Sequence, residues 1–275
     1  MPRRAVVPSL DHFMDERSRR TELLRLQRLL LPGELPAIAC TEAAAAYRAH
    51  NDDFRVGGDW FDLIDRAESQ SVVAIVGDVV GHGIDQVSVM GQLRAASNAL
   101  AHAVDGPDEI LAGLDRFASP IGTARFASVA VAVFDGTPTA RICCAGIPPP
   151  IRVDTNGGVS LVDAGRRPPL TFPTGERVAG SFPAGIGDVV VLYTDGVVER
   201  RDVDLNESMR SLGDFVGERS TEPCHAIADA IVDEFGADAE DDQAVLVIRP
   251  LHQRGDDYAL SRPEVSHATW EPPTA

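Results

Sequence analysis

Lysine is missing from the chain: all 25 basic residues among its 275 are arginine. That one absence removes the phosphate-gripping lysine of P-loop proteins, the nucleotide lysine of protein kinases and any Schiff-base lysine. Positive charge is short in any form. With 42 acidic residues the formal net charge is -17, which argues against nucleic acid and anionic membranes as partners. Cysteine is scarce, with Cys40, Cys143, Cys144 and Cys224 and no Cys-x-x-Cys pair. A zinc site or disulfide framework is therefore unsupported. Cys143 and Cys144 are adjacent in an apolar run, where a strand would send them to opposite faces as small buried hydrophobes. No apolar run approaches the length of a bilayer span. Arg3-Arg4 precede a short apolar stretch that meets Asp11 almost at once, which does not read as a secretory leader. The expected compartment is the cytoplasm.

What is present is ordinary for a folded protein: 44% hydrophobic and 24% charged residues. Residues 1–16 carry no period and read as a loose N-terminus. Over 17–32, Leu23, Leu26 and Leu30 recur at helical spacing, with arginines on the remaining face, until Pro32-Gly33 ends the pattern. This helix either lies on the domain or serves as a regulatory or dimerising element. A long mixed domain follows over 33–249. Strands are expected at Ala37–Ala49, Val72–Val76, Phe126–Phe134, Arg141–Ala145, Ile151–Val153, Val159–Val162, Asp188–Tyr193 and Ala244–Ile248. Helices are expected at Ile84–Ala103, Asp108–Phe117, Glu207–Phe215 and Ala226–Phe235. From 250 to 275 the chain is polar and proline-rich, the composition of a disordered tail. Runs of strands joined by short turns imply an α+β fold with two antiparallel β-sheets packed as a sandwich and flanked by helices.

The chemistry sits in aspartates at strand ends, in four places: Gly57-Gly58-Asp59-Trp60-Phe61-Asp62, Gly77-Asp78-Val79-Val80-Gly81-His82-Gly83, Thr194-Asp195-Gly196 and Asp241-Asp242-Gln243. Each alone could be a turn, for which Asp-Gly is a common signal. Converging carboxylates repel one another unless a cation neutralises them, and hard divalent ions suit oxygen ligands. Two such ions can activate water and clamp a phosphoryl group.

Taken in order, these stretches resemble the PPM family of metal-dependent serine/threonine phosphatases, related to protein phosphatase 2C, and its bacterial SpoIIE/RsbU-like branch. Leu26–Pro32, Phe126-Ala127-Ser128-Val129, Ala145–Pro150 and Gly187–Gly196 add to the likeness, which runs from about Thr21 to Arg249. The resemblance implies a protein phosphatase with a β-sandwich carrying two Mn²⁺ or Mg²⁺ ions at one end. Asp78 would bridge both ions, the Val79 carbonyl would bind one, and Asp59 would lie beside them. Asp195 and Asp241 would complete the second, with Asp242 as the alternative. A metal-bridging hydroxide would attack, with no phosphoenzyme. His82 suits a general acid for the leaving oxygen, or else a hydrogen-bonding loop residue. The implied substrate is a phosphorylated STAS-domain protein, an anti-anti-sigma factor. Regulation or self-association would come through helix 17–31. A non-catalytic phosphoprotein- or partner-binding regulator with the same fold is the rival reading. Two positions depart from the family pattern: Ile147 stands where it has His, and Ala244 where it has Thr.

Overall fold

The computed structural model describes residues 30–49, 57–81, 84–121, 126–173, 175–201, 203–236 and 241–251. One sheet has the order β1 (Thr41–Arg48), β11 (Gln243–Pro250), β10 (Val189–Tyr193), β6 (Ile151–Val153), β7 (Val159–Leu161). The other runs β2 (Trp60–Arg66), β3 (Ser71–Asp78), β4 (Ser128–Phe134), β5 (Thr139–Ala145), β8 (Arg166–Arg167), with β9 (Gly180–Pro183) also on β5. All pairings are antiparallel except β5 with β8. Four α-helices lie wholly within the described residues: α1 (Ile84–Ala103), α2 (Pro107–Ala118), α3 (Leu205–Glu218) and α4 (Cys224–Phe235).

The side-chain period of two explains the layering. In β3, Val72, Ala74 and Val76 face the second sheet, where they meet Leu192, Leu246 and Ile248. Val73 and Ile75 face the other way and are covered by Val87, Met90 and Leu93 of α1 and Ile110, Leu111 and Leu114 of α2. The second sheet repeats this arrangement, with Val191, Val245 and Val247 under α3 and α4. Strands buried on both faces read as unbroken apolar runs, which is why β3, β4 and β10 stand out in the sequence. Cys143 lies in the helix-covered layer and Cys144 between the sheets, on opposite faces as expected, and all four thiols are free.

Helix ends follow their local chemistry. Glu109 reaches back to the Gly106 amide at 2.9 Å with Pro107 at the first helical position, and Asp204 accepts from Asn206 and Glu207 to start α3. Three elements were not expected. β2 carries Asp62 and Asp65, which interrupt its apolar pattern. β8 and β9 are too short to show a period. The last sheet strand runs through Pro250, and Leu251 donates to the Cys40 carbonyl.

Of the expected helix 17–31, only Leu30 and Leu31 are described. Both pack on the α1–α2 layer, and Arg94 of α1 donates to the Leu30 carbonyl at 2.6 Å. Residues 1–16 and the tail from 252 lie outside the described residues. Among the described residues no helix is long and apolar enough to cross a membrane.

Candidate metal centre

Register brings the four aspartate places to one end of the sandwich. Trp60 pairs with Gly77, so Asp59 at the entry to β2 neighbours Asp78 at the exit of β3. In the facing sheet Tyr193 pairs with Val245 and Tyr47 with Ala244. That sets Thr194-Asp195 beside Asp241-Asp242 and brings Tyr47 to the same edge. Two hydrogen bonds tie the set together. The Thr194 hydroxyl donates to Asp59 Oδ2 at 2.6 Å, bridging the sheets, and the Tyr47 hydroxyl donates to Asp242 Oδ2.

Close approach of backbone explains two of the glycines. A Cβ on Gly58 would stand 2.4 Å from the Val79 carbonyl oxygen, and one on Gly57 would overlap the Asp242 carboxylate. Any larger residue at either place would push these oxygens apart. The Val79 carbonyl also accepts from the Gln86 amide of α1. A carbonyl has two lone pairs, so that bond orients the oxygen and leaves one pair for another partner.

The electrostatics centre on Asp78. Burial, then the negative charge of Asp195, push its carboxyl up to about 7, with Asp241 and Asp242 adding to the rise and a hydrogen bond to Asp59 opposing it. Asp59, almost fully buried, is held well above the usual carboxylate range by burial, then by Asp78 and Asp242. Asp195 is raised to about 6 by burial, then by Glu199 and Asp241. Burial, then Asp242 and Asp59, keep the Tyr47 hydroxyl protonated well above its ordinary range. Asp59 and Asp78 thus each feel carboxylates from both sheets.

An all-oxygen set of this charge fits hard divalent cations such as Mn²⁺ or Mg²⁺. Asp59, Asp78, Asp195, Asp241, Asp242 and the Val79 carbonyl are the groups that could hold them. Among the described residues, no three acidic, histidine or cysteine side chains are already closed to ligating spacing. The fit therefore lies in donor chemistry and mutual repulsion. Asp241 is exposed and accepts from the Asp242 amide at 2.9 Å, while Asp242 is buried under Tyr47.

Asp62 does not join the cluster. It is buried against α1 and paired with Arg94, whose Nη2 donates to Oδ1 at 3.1 Å. Trp60 and Phe61 are core residues on opposite faces of β2. His82 lies outside the described residues. Burial raises the Cys143 thiol to about 11 and Cys144 and Cys224 to about 12, so none supplies a thiolate near neutrality. Sequence reasoning gave no role to Thr194, Tyr47 or Gln86. Thr194 stood inside a quoted motif, whereas Tyr47 and Gln86 carried no local signal.

Residues 68–251 match the family described as stage II sporulation protein E (SpoIIE), a stretch that includes Asp78, Asp195, Asp241 and Asp242. Among solved structures, the RsbU and RsbW domains of Rv1364c from Mycobacterium tuberculosis are 28% identical, with a TM-score of 0.73 over 82% of this chain and 64% of that one. The PP2C phosphatase domain of SpoIIE from Bacillus subtilis, with a fragment of its regulatory domain, is 16% identical, with a TM-score of 0.67 over 78% of this chain and 63% of that one. The SiaA-PP2C domain of Pseudomonas aeruginosa is 20% identical, with a TM-score of 0.67 over 84% of this chain and 96% of that one. The chain thus spans just under two thirds of the first two structures and nearly all of the third. Its two sheets and flanking helices are the PP2C-type phosphatase fold, and with more than half of its length matched the chain belongs to the SpoIIE family.

Proposed function

We propose that the protein is a metal-dependent phosphatase acting on phosphoserine or phosphothreonine of another protein. The observation that carries this is the convergence of carboxylates from both sheets on Asp78. Two Mn²⁺ or Mg²⁺ ions held by these groups would supply Lewis-acid polarisation of the phosphoryl group and a water of lowered pKa.

The chain's own residues set the stage for that chemistry. Asp78 joins the two halves of the site, Asp195 and Asp241 present charge from one sheet, and Thr194 fixes Asp59 from across the sandwich. Gln86 aims the Val79 carbonyl. No side-chain nucleophile is needed, which agrees with thiols held in their neutral form. In this reading His82 gives a proton to the departing serine or threonine oxygen. The substrate is a phosphorylated STAS-domain protein, and the protein acts in the cytoplasm. The segment ending at Leu30-Leu31 carries regulation or self-association, supported by its seat on α1.

Hydrolysis of p-nitrophenyl phosphate with Mn²⁺, Mg²⁺ or EDTA tests the reading, with Asp78→Asn alongside. Metal-dependent turnover that Asp78→Asn loses is expected. A purified chain that binds a phosphorylated STAS protein without ever releasing phosphate would instead make it a binding regulator.

A further inference from the structure

Beside the acidic cluster, between the turn at Asp195–Val197 and the start of α3, lies an open groove of about 480 Å³. Glu199, Arg200, Arg201, Val203, Leu205 and Asp241 line it. Val203 and Leu205 are both more than two fifths exposed, an apolar wall next to two arginines. Arg200 is held in place: its guanidinium carbon stands 4.7 Å from the centre of the Phe235 ring. Phe235 is itself buried and set edge-on to Phe215.

Arg200 differs from the arginines held by ion pairs, and from Arg66, whose donors are taken by Ser71 and by the carbonyls of Ala101, Val104 and Asp105. Arg94, Arg152, Arg177 and Arg249 each have a carboxylate partner, Asp62, Asp188, Asp115 and Glu42 respectively. No carboxylate pairs with Arg200 among the described residues, and its side chain lines the groove while stacked on Phe235. A guanidinium stacked on an aromatic face keeps its in-plane N–H groups for an oxyanion. In a chain of net charge -17, a stacked arginine that lines an open groove and has no acidic partner among the described residues offers a foreign anion a place.

We propose that this groove receives the polypeptide flanking the phosphorylated residue, and that Arg200 selects an aspartate or glutamate within it. The proposal rests on the phosphatase reading, because Asp241 is shared between the groove and the acidic cluster. The groove extends along exposed apolar side chains, as a peptide requires and an isolated phosphate does not. Arg200 and Arg201 both line the groove, so an acidic flank is favoured over a basic one.

The test uses the full chain with Mn²⁺ and two fluorescent peptides built on a non-hydrolysable phosphonate analogue of phosphoserine. One has glutamates on both sides of the analogue and the other has alanines. Anisotropy is expected to show the acidic peptide binding about fivefold tighter at low salt, the scale of a partly exposed ion pair. The preference should shrink in 0.5 M NaCl and vanish in Arg200→Gln, while Arg200→Lys keeps part of it. Circular dichroism confirms that each variant is folded. Equal affinity in the unaltered chain, or a preference that survives in Arg200→Gln, would overturn the proposal. So would an equal loss of both peptides, which would make Arg200 a ligand of the phosphoryl group. Turnover of p-nitrophenyl phosphate by the unaltered chain reads the phosphatase assignment separately. Its absence with the peptide preference intact would remove that assignment and keep the groove.

Discussion

Thr194 and Asp59 lie 135 residues apart, yet the Thr194 hydroxyl donates to Asp59 Oδ2 at 2.6 Å and accepts from the Ala244 amide at 2.9 Å. One buried hydroxyl therefore joins the exit of β10, the entry of β11 and the carboxylate ahead of β2. Thr194→Val keeps the shape and deletes both bonds. Leaving these buried partners unsatisfied should cost about 1–3 kcal/mol in urea unfolding. Metal-dependent turnover should fall about tenfold or more, since Asp59 loses its restraint. Thr194→Ser should retain most of both. A Thr194→Val protein with unchanged stability would mean that this bridge does not hold the sheets' ends together.

Asp78→Asn should move function and stability in opposite directions. Removing the central carboxylate should cut metal-dependent hydrolysis at least about a hundredfold. In EDTA at pH 8 the same change removes a buried negative charge from among Asp195, Asp241 and Asp242, so the melting temperature should rise. A site whose residues repel one another until loaded gives up stability for chemistry. Paired calorimetry and turnover assays check both halves, and a lower melting temperature in EDTA would contradict the repulsion described above.

The cation-free protein should lose stability as pH rises through the site. Asp78 and Asp195 start from an ordinary value of 3.8 and are raised to about 7 and about 6 in the folded chain. Between those limits the folded state holds more protons than the unfolded one, so stability falls as pH climbs from about 4 to about 7. Saturating Mn²⁺ or Mg²⁺ binds only the folded, ionised site. At a hundred times its Kd it should add about 2.7 kcal/mol, or roughly 5–10 °C in Tm. The gap between metal and EDTA melts should widen across that pH window. Identical melts with and without metal at pH 8 would contradict the metal centre.

The legible parts of the fold and site were those with a local signature. Val72–Val76 and Val189–Tyr193 are short apolar runs that read as buried strands, and each runs into an aspartate that the frame then holds rigidly. Cys143 and Cys144 could be assigned to opposite faces from the pleat alone. β2 was hidden because Asp62 faces the helix layer, where Arg94 from 32 residues away neutralises it. β8 and β9 exist only because β5 offers them an edge. The bonds from Tyr47 to Asp242 and from Gln86 to Val79 join side chains chosen by tertiary geometry, and no spacing rule reaches them.

Ile147 supplies a test where this chain departs from its family's pattern. It follows Gly146, whose φ of 75° turns the chain out of β5, and it is 2% exposed within the layer between the sheets. The position is thus part of the core in this protein. Ile147→His would bury an imidazole among aliphatic side chains, at a cost of about 1–3 kcal/mol for the polar group beyond the lost isoleucine contacts. The buried imidazole would resist protonation, so its folded pKa would fall below the unfolded value near 6.5. The unfolded state would then bind more protons, and the loss of stability should be larger at pH 5.5 than at pH 8. Ile147→Val, which trims one methylene, should cost about 1 kcal/mol with no such pH dependence. Thermal melts of both variants at the two pH values decide the matter. A histidine variant that melts like the parent and turns over substrate faster would show instead that this side chain reaches the metal end of the sandwich.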